Sequence, residues 1–199
     1  MKDMADMDGP IWCYSVALKK RPIMNWLEML NEVLRYHKPD TWDSVSYGQQ
    51  RYRKVQVFGE EYDKIAGKFT PELRTHVQMI YRVQNPYLYG RYKLKVEQLQ
   101  LKGQVYEETY YHPIYEDDMN VVMEYNCDFR RYTHASNVQH DGKRPRFYKS
   151  AEMAERNFTS SNKALVVVKV VSTDISSSSH CYKAWDTEYY PEYIVVFTH

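Results

Sequence analysis

The ten residues from Lys163 to Ser172, Lys-Ala-Leu-Val-Val-Val-Lys-Val-Val-Ser, constrain the fold more than any other stretch of this chain. The run is continuously apolar and β-branched, so it reads as a strand buried on both faces. Such a strand needs packing layers above and below its sheet. Glu192 to Phe197, Glu-Tyr-Ile-Val-Val-Phe, reads as a final buried strand of the same kind.

The rest of the chain supplies the layers. Residues up to about Gly9 read as frayed, and Ile11–Leu18 as a strand. Between Arg21 and Pro39 a helix is predicted: Pro22 suits its first turn, and Ile23, Trp26, Leu27, Leu30, Val33 and Leu34 share one face. That stripe is a core face, with a docking helix for a partner as the alternative. Alternation predicts strands over Arg51–Phe58 and His76–Asn85, and Val105–His112 is strand-like. Helices are predicted over Gly59–Phe69, after a Thr70 cap and Pro71, over Pro86–Gly103, over Glu116–Asn126 and over Ser150–Phe158. Residues 131–146 and Ser172–His180 read as loops. Helices come first and strands later, without regular β-α-β alternation, so an α+β fold with a mainly antiparallel sheet is expected.

Composition narrows the function. At 199 residues, 43% hydrophobic, the chain can build one real core. With 27 basic and 26 acidic residues the net charge is +1, so charge offers no support for nucleic-acid binding, though it leaves a shape-specific contact open. No apolar run approaches the roughly 20 residues of a membrane helix, and the first ten residues lack a signal-peptide core. Cys13, Cys127 and Cys181 lie far apart with no Cys-x-x-Cys pair, so a reduced intracellular setting, cytoplasmic or nuclear, is expected. Asn157-Phe158-Thr159 matches a glycosylation sequon that has no use there. The 20 tyrosines suit half-exposed strand faces or a binding surface equally.

Taken alone, the residues offer no strong chemical constellation. His112, expected after a strand and before a helix, reads as a packed residue rather than a ligand. Glu116, Asp117 and Asp118 complement a helix dipole. His134 and His140 have no cysteine partner for zinc, so no metal is expected. Gly142-Lys-Arg-Pro-Arg146 is basic and could touch a phosphate, but reads as a solvated loop. There is no Gly-rich phosphate loop, Gly-x-Ser-x-Gly or His-Glu-x-x-His.

Three segments together resemble the catalytic domain of the poly(ADP-ribose) polymerase-like family, the diphtheria-toxin-like ADP-ribosyltransferases, nearest the CCCH-zinc-finger mono-ADP-ribosyltransferase branch. Pro39–Val45 is similar to a Pro-Glu-Thr-Trp stretch ahead of that domain. Tyr81–Leu99 is similar to Arg-(Ile/Val)-Gln-Asn-x-x-Leu-Trp-x-x-Tyr-x-x-(Lys/Arg)-Lys. His112 falls at the family's His-Gly-Thr, and Asn126–Arg130 at Asn-Phe-Asp-x-Arg. The resemblance implies a split, mainly antiparallel sheet of the ADP-ribosyltransferase type with flanking helices over residues 39–199, preceded by a strand/helix extension at 1–38.

The resemblance also implies a degenerate site. In active members the histidine bonds the ribose of nicotinamide adenine dinucleotide (NAD), and the following glycine clamps the nicotinamide amide. Here that glycine is Pro113, which has no N–H. Two registers fit the next motif. One places Arg146 at the catalytic tyrosine, with Ala154 at the serine and Asn157 at the stacking tyrosine. The other places Phe147, Glu155 and Phe158 there. Tyr148 reaches the catalytic slot in neither. Tyr193 falls at the third catalytic position, where the family has glutamate, an aliphatic residue or occasionally tyrosine. Its neighbour Glu192 is expected to point to the opposite face. The loop after Ser172 is shorter than the family's, and the chain is expected to stop before the family's closing Tyr-Pro-x-(Tyr/Phe)-(Leu/Ile)-Ile strand.

The expected function is therefore a catalytically inactive module that binds a protein partner and no cofactor, in an RNA-regulating or antiviral context by analogy to the branch. The alternatives are an active mono-ADP-ribosyltransferase using NAD with His112 and Tyr148 or Tyr193, and a module that binds RNA or ADP-ribose.

Overall fold

A computed structural model describes residues 34–35, 37–43, 52–133, 140–142, 144–158, 162–174 and 177–198. The expected strand at 11–18 and the expected helix ahead of Leu34 lie outside the described residues; Leu34, Arg35 and His37 are helical. The described elements are β1 (Arg53–Gln56), α1 (Gly59–Ala66), α2 (Pro71–Thr75), β2 (Val77–Gln84), α3 (Pro86–Gln100), β3 (Tyr106–Tyr115), α4 (Met119–Tyr125), β4 (His140–Asp141), β5 (Arg144–Tyr148), α5 (Ala151–Arg156), β6 (Lys163–Ser172), β7 (His180–Tyr182) and β8 (Tyr189–Phe197). Strands and helices interleave, contrary to the expected order of helices first. The sheet is antiparallel all the same, because its strands do not follow one another as β-α-β crossovers.

The strand order is β1-β2-β8-β6-β3-β5-β4, with β7 on the outer side of β5, and every pairing among the described residues is antiparallel. The two apolar runs, β6 and β8, lie side by side at the centre of this order. Their alternate residues feed two different cores, as a strand apolar on both faces must. On one face Val166, Val168, Ile194 and Val196 pack with Val122 and Met123 of α4, Phe129, Tyr132 and Phe147. On the other, Leu165, Val167, Tyr193 and Val195 pack with Ile65 and Ala66 of α1, Phe69, and Ala151 and Ala154 of α5. A third core joins Leu88, Tyr89, Tyr92 and Val96 of α3 to Trp42, Val171 and Tyr190. Trp42, from the Pro-Asp-Thr-Trp stretch, stands 5.1 Å from the Tyr89 ring.

Side chains stop and start the helices as the sequence suggests. Thr70 caps α2 by accepting from Leu73 N–H, and Pro71 fills its first position. Ser150 caps α5 through Met153 N–H at 3.1 Å. Asn85 accepts from Leu88 N–H at 3.1 Å and donates to the Met123 carbonyl at 2.7 Å, fastening the start of α3 to α4. Asn126 ends α4 at φ 66° and ψ −164°, backbone that an L side chain rarely adopts. Its amide donates to the carbonyls of Asp186 (2.8 Å) and Tyr189 (3.2 Å) and accepts from Cys127 N–H (3.0 Å). Asn126→Ala, which loses all three bonds and keeps the Cβ, is expected to destabilise the fold by about 2–4 kcal/mol. Asn126→Gly, free of the backbone strain, should lose less; thermal unfolding of the two variants gives the comparison.

Candidate functional site

The residues singled out around His112 are placed by β3, β5 and β8. His112 lies within β3 rather than at its end: the strand runs three residues further, pairing Pro113 with Leu165, Ile114 with Ala164 and Tyr115 with Lys163. This corrects the expected turn into a helix after His112. The ladder between β3 and β5 holds one partner pair, Tyr111 with Tyr148. Beside that pair the His112 side chain makes its own link across the gap, its Nδ1 standing 2.8 Å from the Arg146 carbonyl oxygen. A carbonyl only accepts, so Nδ1 carries the proton and Nε2 is left as an acceptor.

Nε2 has no hydrogen-bond partner among the described residues. The ring is fully buried, with Phe147 at 5.5 Å and Tyr132 at 6.0 Å between centroids. Burial drives the imidazole pKa down from 6.5 to about 4, against a smaller opposing effect of the Arg146 carbonyl. His112 is therefore a neutral core residue at physiological pH, enclosed by side chains of the chain itself.

Of the other candidate positions, Phe147 packs against this ring and Arg146 meets it only through its carbonyl, whereas Tyr193 lies apart. Register places His112 against Val166 and Val166 against Ile194, whereas Tyr111 lies against Val167 and Val167 against Tyr193. Alternation thus puts Tyr193 on the face of the sheet opposite to His112. Its hydroxyl donates to Glu61 Oε1 at 2.9 Å, and Glu61 Oε2 accepts from Arg82 at 2.6 Å, so Tyr193 ties α1 to the sheet. Glu192 departs from its expected direction. The β6–β8 register jumps between Val167 opposite Tyr193 and Val168 opposite Pro191, leaving Glu192 as the extra residue of a bulge. Its carboxylate pairs with Lys169 at 3.0 Å, and Lys169 shares the Val167 face.

Arg144 to Arg146 are strand residues of β5, not the expected loop. Phe147 faces the His112 core. The Arg146 side chain faces the other way, with its guanidinium 5.4 Å from the Tyr148 ring and 3.0 Å from His180 Nε2. Sequence reasoning missed His180, since it sits in what reads as a polar serine-rich loop. His140 is exposed and stacks on Phe129 at 4.3 Å; His134 lies outside the described residues. Glu116 to Asp118 form a single 3-10 turn ahead of α4, and Asp118 is buried, accepting from Thr133 N–H at 2.7 Å. Cys127 and Cys181 are free thiols.

Open concave surface among the described residues lies elsewhere. Two adjoining clefts, of about 540 and 300 Å³, share Tyr125, Asp128 and Asp186. His112, Arg146 and Tyr193 line neither. Three of the large hydrophobic side chains most exposed among the described residues stand here: Tyr87, Tyr125 and Trp185. Arg131 stacks on Tyr125 at 4.3 Å, and Arg91 makes a two-pronged pair with Asp186 at 2.8 and 3.0 Å. The three aromatics come from the start of α3, the end of α4 and the turn before β8, so no periodicity in the sequence links them.

Among the described residues no helix is long and apolar enough to cross a membrane. No protein-family model matches the chain, and no curated protein matches it.

Proposed function

We propose that the chain is a catalytically inactive ADP-ribosyltransferase-like domain that acts as a protein-interaction scaffold. The observation that carries this reading is the burial of His112, sealed between Phe147 and Tyr132 with its Nδ1–H spent on the Arg146 carbonyl. Transfer from NAD requires a held nicotinamide and a stabilised oxocarbenium-like ribose. A histidine in this setting cannot reach a ribose unless core side chains leave. Pro113 offers no N–H.

The kinship itself is supported by the placement of the resembling segments. Tyr190-Pro-Glu-Tyr-Ile194 fits the first five of the six positions given above for the closing strand, with Val195 at the sixth, and these residues lie on β8 beside β2, which carries Arg82-Val83-Gln84 of the signature and leads into Asn85. On that reading β8 is the closing strand.

The protein-binding half of the proposal draws on Tyr87, Tyr125, Trp185 and the arginines between them. Tyr, Trp and Arg in this setting are the usual anchors of protein interfaces. Calorimetric titration with NAD tests the inactive half: no saturable heat is expected up to millimolar concentration, and micromolar binding would overturn it. For the scaffold half, a partner recovered with the native protein should be lost with Trp185→Ser at unchanged thermal stability. Undiminished recovery would move the docking site off this cleft.

A further inference from the structure

The face of β5 and β7 beyond α5 carries a concentration of cations around one ring. Tyr148 is buried with Ala151 and Ala154 of α5. Past it the same face opens, and Arg144, Arg146, Tyr182 and His180 are all at least partly exposed. Register sets Arg146 directly opposite Tyr182 and Tyr148 opposite His180. The Arg144 and Arg146 guanidinium groups lie 5.9 and 5.5 Å from the Tyr182 ring centroid, and His180 meets that ring edge-on at 5.6 Å. The Arg146 guanidinium is 3.0 Å from His180 Nε2, so His180 accepts from it as a neutral imidazole.

We propose that this face is a binding site for a phosphate monoester, held by Arg144, Arg146 and His180 beside the Tyr182 ring. The argument is one of charge. Arg146 and His180 are in contact and would repel each other if both were charged, and an anion placed against both removes that repulsion. Two guanidinium groups and a protonated His180, less the carboxylate of Asp141 that pairs with Arg144, give a local charge of about +2. A phosphate monoester carries about −1.5 to −2 near neutral pH. Among the described residues Tyr148, Tyr182, Ser178 and Ser179 also stand against His180, with Lys149 beyond them paired to Glu108 at 3.4 Å. Burial and the Arg146 charge hold the free His180 below its ordinary pKa, so ligand binding takes up a proton there.

This site shares Arg146 with the closed His112 region, but only through the side chain, whereas His112 is held by the Arg146 backbone carbonyl; none of its residues lines the clefts, so its failure and that of the scaffold reading are distinguishable. Titration with inorganic phosphate at constant ionic strength, followed through the His180 imidazole signals in NMR, tests it. A saturable change is expected, tighter at pH 6 than at pH 8, with the His180 pKa rising by about one pH unit at saturation. Arg146→Gln should abolish it. Arg144→Gln, an exposed change that leaves the fold intact, should weaken it several-fold. Adenosine 5′-monophosphate in a parallel titration separates the sources. Equal affinity assigns the site to the phosphate group, and tighter binding assigns it to a nucleotide whose base covers Tyr182; both sustain the proposal. A response reproduced by chloride, or unchanged in Arg144→Gln, would overturn it.

Discussion

Lowering the pH from 7 to 4 is expected to remove about 3 kcal/mol of folding stability through His112 alone. In the unfolded chain this imidazole titrates near 6.5; in the folded protein burial holds it near 4. Over that window the unfolded state binds the proton and the folded state does not, so stability is fully present above 6.5 and falls as pH drops toward 4. Below 4 both states are protonated and the loss levels off. The size follows from about two and a half pH units at about 1.36 kcal/mol each. Carboxylates held below their ordinary range, Glu107, Asp128 and Glu152, contribute their own losses at lower pH. Between 6.5 and 4.5 the losses come from histidines, His112 first and His180 with it, because burial and the Arg146 charge hold His180 down as well. Urea unfolding across this range should show a slope steeper by one proton in the native protein than in His112→Asn, whose amide can still donate to the Arg146 carbonyl. A slope unchanged in that variant would mean that His112 is not the neutral core residue described above.

Emptying the space beside His112 should have a second large effect. Phe147 is fully buried, with the His112 ring on one side and the Tyr189 ring 4.8 Å away on another. Phe147→Ala is expected to destabilise the protein by about 3–5 kcal/mol, from lost burial and the cavity left behind. Water entering that cavity would reach the imidazole, so the His112 pKa should climb back toward 6.5. Phe147→Leu, which keeps most of the volume, should show a smaller loss and a smaller climb. A loss under about 1 kcal/mol for Phe147→Ala would mean the site collapses without hindrance, and that Phe147 does not fill a rigid pocket.

Much of the scaffold was legible because burial and sequence pattern coincide. The runs at β6 and β8 are apolar on both faces and lie centrally in the sheet. Thr70, Pro71, Asn85 and Ser150 sit where helix starts demand them. The site was less legible, for reasons of register. The strand is expected to end at His112, yet a strand edge facing a nearly split ladder tolerates Pro113, and β3 continues to Tyr115. The bulge at Glu192 breaks the alternation on which its orientation was inferred, because one inserted residue reverses every inside–outside assignment beyond it. Tyr193 shares neither a face nor a partner with His112, which only the pairing of three strands reveals. The aromatic clefts draw Tyr87, Tyr125 and Trp185 from separate segments, and His180 meets Arg146 across a strand pair of three residues. Contacts of that kind leave no local signature.

The most direct measurement is the NMR signal of the His112 imidazole, recorded against pH and then against NAD. A closed, inactive site predicts a neutral ring with the proton on Nδ1, an apparent pKa of about 4, and no change on adding NAD to millimolar concentration. An imidazole that titrates near 6.5 and shifts saturably with NAD would show an open pocket and a ligand-competent histidine, and would contradict the closed site.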